Sequence, residues 1–377
     1  MSKSKGDSEE KSVFDAVSSI STRFPFAHGK RLLSSLKIPT NLGWDRTING
    51  LRNFNESQAR DGAKDELVET FSKHTFVGDK LVRFYGYENI PEIENFRLHV
   101  SDAKNNIEIP SSEYTEAFPL SINDKDLLRA LDDAPPKLTS ISEQDNSIVF
   151  QYSSVRSYSK KVELDKNSFE EVDQGFLEDY SEIYGMKPMR NQAFDSVIVH
   201  LDQDVIELRI DAPDGIPTIR RHRAVVDVTR AFDELALANF GYAPFGTAAK
   251  NFYNIISRLY NASSEGSVFM LGFTANSTKT SSNNDAKLIR KKGRDLRHDD
   301  FHKGGKNAVQ SIDPYTIGVE WKVDKFEGTP KLIVPGSVRM LYHSPIIFPD
   351  VLIRDCFSEE EFGFVIKKIE KYLKITK

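Results

Sequence analysis

A chain of 377 residues with 39% hydrophobic and 28% charged side chains holds enough apolar material for one large domain or two, and it has neither a disordered nor a membrane-like balance. Its formal net charge of −5 argues against a generic polyanion binder, so any contact with nucleic acid has to be local, through a basic patch on a mildly acidic body. One cysteine, Cys356, excludes a disulfide framework and a thiolate zinc cluster.

That cysteine count fits a reducing compartment, and no apolar run approaches the roughly 18 residues of a membrane span. The polar opening MSKSKGDSEEKS has no secretory core. A cytoplasmic protein without membrane contact is the expectation.

Residues 1–11 read as a disordered tail and 12–75 as a helical segment. Within it GKRLLSSL and GWDRTINGLRNF form two short helices across Pro39, a helix-turn-helix spacing. Lys30, Arg31, Lys37, Arg46 and Arg52 are spread around that pair rather than focused on one helix, which favours an ordinary packing unit.

Residues 76–172 change texture to short runs such as KLVRFYGY, NFRLHV, NNIEIP, SIVFQYSSV and KKVELD, expected as strands of a β-rich module, with DDAPPKLTSISEQDN as a loop. The remainder, 173–377, reads as an α+β domain. Val197–Leu201 and Val205–Ile210 are separated by hairpin length, and Thr247–Tyr260 carries a helical apolar stripe. SVFMLGF, YTIGVEWKVDKF, KLIVPGSVRMLYH and DVLIRD add strands, and Ser358 with Glu361 opens a closing helix. Strands in runs with interspersed helices and no repeating βα unit predict an α+β fold: an N-terminal helical segment, a β-rich middle module and a C-terminal mixed sheet with helices.

The most charged stretch is KLIRKKGRDLRHDDFHKGGK, within a basic, flexible insertion expected at about residues 275–311. Lys287, Arg290, Lys291, Lys292, Arg294, Arg297, Lys303 and Lys306 stand against Asp295, Asp299 and Asp300, a local excess of five positive charges. Such a segment can track a phosphate backbone through counterion release without reading sequence. A second basic focus, Arg220, Arg221, His222 and Arg223, leads into a helix, where cations oppose the macrodipole and invite an anion or protein carboxylates.

Two other chemistries are readable. His298 and His302 lie four apart, which on a helix would place both on one face for a metal, although a third ligand is not evident. Glu320 and Lys322, two apart on an expected strand, match the Glu-x-Lys pair of a metal-dependent nuclease of restriction-endonuclease-like type, in which a divalent metal would be the cofactor. Asp195, Glu207 and Arg209 form a second near match, with arginine where lysine is required. Otherwise no cofactor is expected.

Three functional classes follow. The leading expectation is a nucleic-acid-associated protein that binds a DNA or RNA backbone through the basic loop, with a host–virus conflict role carried on prior grounds rather than on residues. The alternatives are the nuclease and a protein-interaction subunit of a larger assembly or homo-oligomer.

Overall fold

The structure, a computed structural model, describes residues 11–164, 180–276, 285–290, 293–309 and 311–373. The chain opens with four helices: α1 (Val13–Ser21), α2 (Phe26–Ser35), α3 (Trp44–Leu51) and α4 (Ala63–Val77). Helix α1 begins where Ser12 accepts the Asp15 backbone N–H and Asp15 answers at the Ser12 N–H, each at 3.1 Å. Val13, Ala16, Val17 and Ile20 are buried at helical spacing and form, with Leu67 and Phe71 of α4, a separate N-terminal core.

Among the described residues ten strands then form one antiparallel sheet: β1 (Lys80–Gly86), β2 (Lys137–Gln144), β3 (Ser147–Glu163), β4 (Tyr184–His200), β5 (Val205–Asp211), β6 (Ser267–Asn276), β7 (Asp285–Arg290), β8 (Ser311–Glu320), β9 (Lys331–Val334) and β10 (Val351–Arg354). Their order is β2-β3-β4-β5-β1-β10-β9-β8-β6-β7. Helices and an antiparallel sheet segregated in this way make the fold α+β. The first strand in sequence lies inside the sheet, pairing Lys80 with Asp211 on β5 and with Ile353 on β10.

Alternation along the strands feeds two cores. Val82, Val149, Ile198 and Ile353 point to one face, beneath α10 (Tyr253–Asn261) and α13 (Glu359–Leu373). Their neighbours Leu81, Ile148, Val197 and Leu352 point to the other, beneath α9 (Thr218–Phe240) and α5 (Ile93–Ser101). Burying such strands on both faces explains their near-continuous apolar runs. Helix α9 stops at Gly241, whose φ of +78° gives the left-handed cap that lets its N–H return to the Leu237 carbonyl.

The β3–β4 hairpin is longer than its flanks. It pairs from Ser147 with His200 out to Glu163 with Tyr184, whereas β2 accompanies it only to Ser153 and β5 only from Ser196. Its outer turns are a two-stranded ribbon on which Tyr184 and Met186 are exposed.

Several expectations change at the element level. NFRLHV is helix α5 rather than a strand, because Phe96 and Val100 are buried four apart, a period that six residues of sequence leave ambiguous. Helix α6 (Ala103–Asn106) and irregular chain replace the strand expected at NNIEIP, and the short helices α7 (Glu113–Ala117) and α8 (Lys125–Ala130) follow. Half of the expected loop DDAPPKLTSISEQDN is strand β2, where Leu138 and Ile141 are buried. In the expected flexible insertion, the described residues form β7, a 3₁₀ turn at Leu296–His298 and helix α11 (Asp300–Asn307). KLIVPGSVRMLYH divides into β9 and a short helix, α12 (Val338–Leu341).

Candidate functional site

Next to the start of α9, a cleft borders the sheet over β10, β9, β8, β6 and β7. It has a volume of about 810 Å³, with Ile333, Thr316 and Met270 among its lining residues and Leu288 at 52% exposure. Gly336 shapes one wall: a Cβ there would sit 1.7 Å from the Tyr315 carbonyl oxygen and 1.9 Å from the Phe348 ring, so only glycine allows the approach.

Four cations from four elements line this cleft: Arg221 of α9, Arg290 of β7, Lys331 of β9 and Arg354 of β10. Two residues flagged in separate basic runs of the sequence, Arg221 and Arg290, thus meet in one site. Arg354 donates to Asp214 at 2.9 Å, and Lys331 pairs with Asp355 while lying 5.8 Å from the centre of the Phe269 ring. Among the described residues neither Arg221 nor Arg290 forms an ion pair. The Nε–H groups of Arg221 and Arg354 are buried without a partner in the same set. Burial lowers the pKa of Arg221, the adjacent Arg354 charge lowers it further and Asp350 opposes. The Arg221 guanidinium also donates to the Ile216 carbonyl at 3.4 Å and to the Thr218 hydroxyl at 2.9 Å, and with Arg354 nearby it makes this wall locally positive.

The other sequence candidates are placed as follows. Arg220 binds Asp133 at 2.6 Å, and Arg223 lies 3.7 Å from Asp133 and 3.6 Å from Asp227, so these two are occupied by protein carboxylates. Lys287 is exposed on β7 but points away from the cleft, since Leu288 and Arg290 face into it. Lys291 and Lys292 lie outside the described residues. Arg294, Lys303 and Lys306 are exposed, with the Lys306 ammonium 4.8 Å from the Tyr260 ring centre.

Arg297 is only 9% exposed and donates to the carbonyls of Leu259, Ala262, Glu265 and Gly266 as well as to Asp295. It is a structural clamp that presents no charge to a ligand. His302 is buried and shares a 2.9 Å hydrogen bond with the Tyr260 hydroxyl, whereas His298 is exposed and lies 4.0 Å from Asp295. Among the described residues no group of three His, Cys, Asp or Glu side chains is placed to hold a metal ion.

Glu320 ends β8, half-buried and in register with Lys331, and Lys322 is exposed beyond the strand. Of the second near match, Asp195 pairs with Arg156 and Glu207 with Arg209, all inside the sheet region. Cys356 is 1% exposed and burial pushes its thiol pKa up, which makes it inert packing. Among the described residues no helix is long and apolar enough to cross a membrane.

The sequence reading missed Lys331 and Arg354, which sit singly in apolar strands and carry no local motif. No family model matches this chain, and no curated protein matches it.

Proposed function

We propose that the protein binds the phosphate backbone of single-stranded DNA or RNA in the cleft between α9 and β7, without reading sequence. One observation supports this: Arg221, Arg290, Lys331 and Arg354 converge from distant parts of the chain on one cleft, where Arg221 and Arg290 form no ion pair among the described residues. A concave cleft with one half-buried aromatic, Phe269, suits a flexible strand whose bases can stack rather than a rigid duplex. The acidic body elsewhere confines binding to this face, and the lone buried cysteine suits work in a reducing compartment.

The test is binding of short fluorescent oligonucleotides across a salt series. The two cleft cations without a carboxylate partner among the described residues, Arg221 and Arg290, predict a log–log slope near −1.4 for a single strand, about −0.7 per contact. Arg290→Glu should weaken binding and make the slope shallower by about 0.7, whereas Lys287→Glu, on the opposite side of the same strand, should leave it close to wild type. Equal losses from both variants would place the contact on the loop rather than in the cleft. No binding by the wild-type protein at low salt would end this reading and favour a protein partner.

A further inference from the structure

Helix α9 buries Val225, Val228, Phe232 and Ala236 against the sheet, yet its outward face is not polar throughout. Ile219 is 75% exposed, Val226 51% and Leu237 59%. They fall in one row, Ile219, Arg223, Val226, Arg230, Asp233 and Leu237, whose steps alternate four and three residues along the helix. That repeat, 3.5 residues on average, is the spacing with which one helix seats against another. Scattered apolar residues on a surface need no partner, whereas three aligned at this period form a stripe that water covers poorly.

Charge decides what fits on this row. Set parallel to a second copy of itself, the helix would bring Arg223 onto Arg223, Arg230 onto Arg230 and Asp233 onto Asp233, like charges in every polar layer. Set antiparallel about a two-fold axis beside Val228, the row complements itself. Ile219 meets Leu237 of the second copy, Arg223 meets its Asp233, and Val226 meets its Arg230, whose aliphatic stem can cover it. Arg223 has room for this contact, because Asp133 and Asp227 lie 3.7 and 3.6 Å away, beyond hydrogen-bond length. Asp233 accepts the Phe245 N–H at 3.0 Å through Oδ1, and no bond to its Oδ2 forms among the described residues. On the flank Arg220 falls beside Glu234 of the second copy, and Glu234 forms no ion pair among the described residues. The one like-charge meeting is Asp227 with its own copy at the axis, where each has Arg223 of its own chain at 3.6 Å.

We propose that the outward face of α9 is the contact surface of a two-fold symmetric homodimer, in which the helix packs antiparallel on its own copy. Arg221 lies on the other side of the helix from this row, so the dimer leaves the cationic cleft open.

The experiment is sedimentation of the full chain over a concentration series of about 1–100 µM, and the expected result is a reversible monomer–dimer equilibrium. Leu237→Lys, which sets an ammonium against Ile219 of the second copy between its Arg220 and Arg223, should weaken dimerisation about 10-fold or more. Val226→Lys, facing Arg230, should weaken it likewise, while Val226→Glu should keep or tighten it. Both positions are exposed, so the monomer fold stays intact. Ile219→Cys and Leu237→Cys, treated with a short bismaleimide, should cross-link only when the two variants are mixed, since the native thiol, Cys356, is buried. Monomer at every concentration overturns the proposal, and so does a dimer that Leu237→Lys leaves unchanged. Equal losses in Val226→Lys and Val226→Glu would mark an apolar contact without this register, and cross-linking of either cysteine variant alone would mark a parallel pairing; each overturns the antiparallel dimer.

Discussion

Arg297 and Arg290 are seven residues apart in one basic run, and the fold gives them opposite uses. Arg290 faces the cleft, whereas Arg297 is held by four carbonyls and Asp295. Arg297→Ala should therefore destabilise the protein by about 3 kcal/mol in urea unfolding, because buried acceptors lose their donor, while Arg290→Glu should change stability little. The local signal was present in sequence: Leu296, an apolar residue between charged neighbours, is 2% exposed and anchors the turn. Charge density masked it.

Glu265 behaves similarly. Burial would raise its pKa, but hydrogen bonds from Lys368, Lys371, Tyr372 and the Trp321 indole hold it at about 2. Its folded pKa is thus below the unfolded one, and its stabilisation is present above about pH 4.5 and lost as pH falls toward 2. Glu265→Gln should cost about 2 kcal/mol at pH 7 and close to nothing at pH 2, measured by urea midpoints at the two pH values.

At the scale of elements, periodicity was readable wherever a segment was long enough to repeat. The β4–β5 hairpin and the buried face of α13, formed by Phe362, Val365 and Ile369, follow from it directly. In α13 the cap departs from the reciprocal pattern: Ser358 accepts the Glu361 N–H at 3.2 Å, yet the Glu361 carboxylate turns to the N–H groups of Phe357 and Gly328. The cap is thereby tied to the preceding loop. Short runs such as Asn95–Val100 stayed ambiguous because burial at a spacing of four decides between helix and strand only in three dimensions.

The cleft itself depends on one tight wall. Gly336→Ala should lower stability by more than about 2 kcal/mol and weaken oligonucleotide binding together with it, since the added methyl collides with the Tyr315 backbone. Gly241→Ala, strained only by its positive φ, should cost about 1 kcal/mol and leave binding intact.

For the molecule as a whole, the decisive feature is long-range strand order, which no local pattern encodes. Arg221, Arg290, Lys331 and Arg354 become neighbours only because β10, β9, β8, β6 and β7 lie side by side next to the start of α9. The sequence showed two basic runs but not that one residue from each would meet, nor that Arg220, Arg223 and Arg297 would be paired within the protein and Lys287 turned aside. The sheet also joins stretches that composition separates, since β1 from the first third lies between β5 and β10. The two tryptophans test this unity: Trp44 reports the N-terminal core and Trp321 the core beneath α13. Single-tryptophan variants should show coincident urea transitions by fluorescence; separated midpoints would mean that the N-terminal helices unfold on their own.

The projecting ribbon of β3 and β4 gives the chain a seam. A protease site engineered after Glu163 would divide it into one piece carrying β1, β2 and β3 and another carrying β4 to β10, yet β1 of the first piece is hydrogen-bonded on both sides by strands of the second. Such halves are interdigitated rather than adjacent, so after cutting they would migrate together under native conditions and separate only in denaturant. Produced apart, each would lack a strand pairing that the other supplies, which makes this seam a natural place to build a split reporter whose signal depends on reassembly.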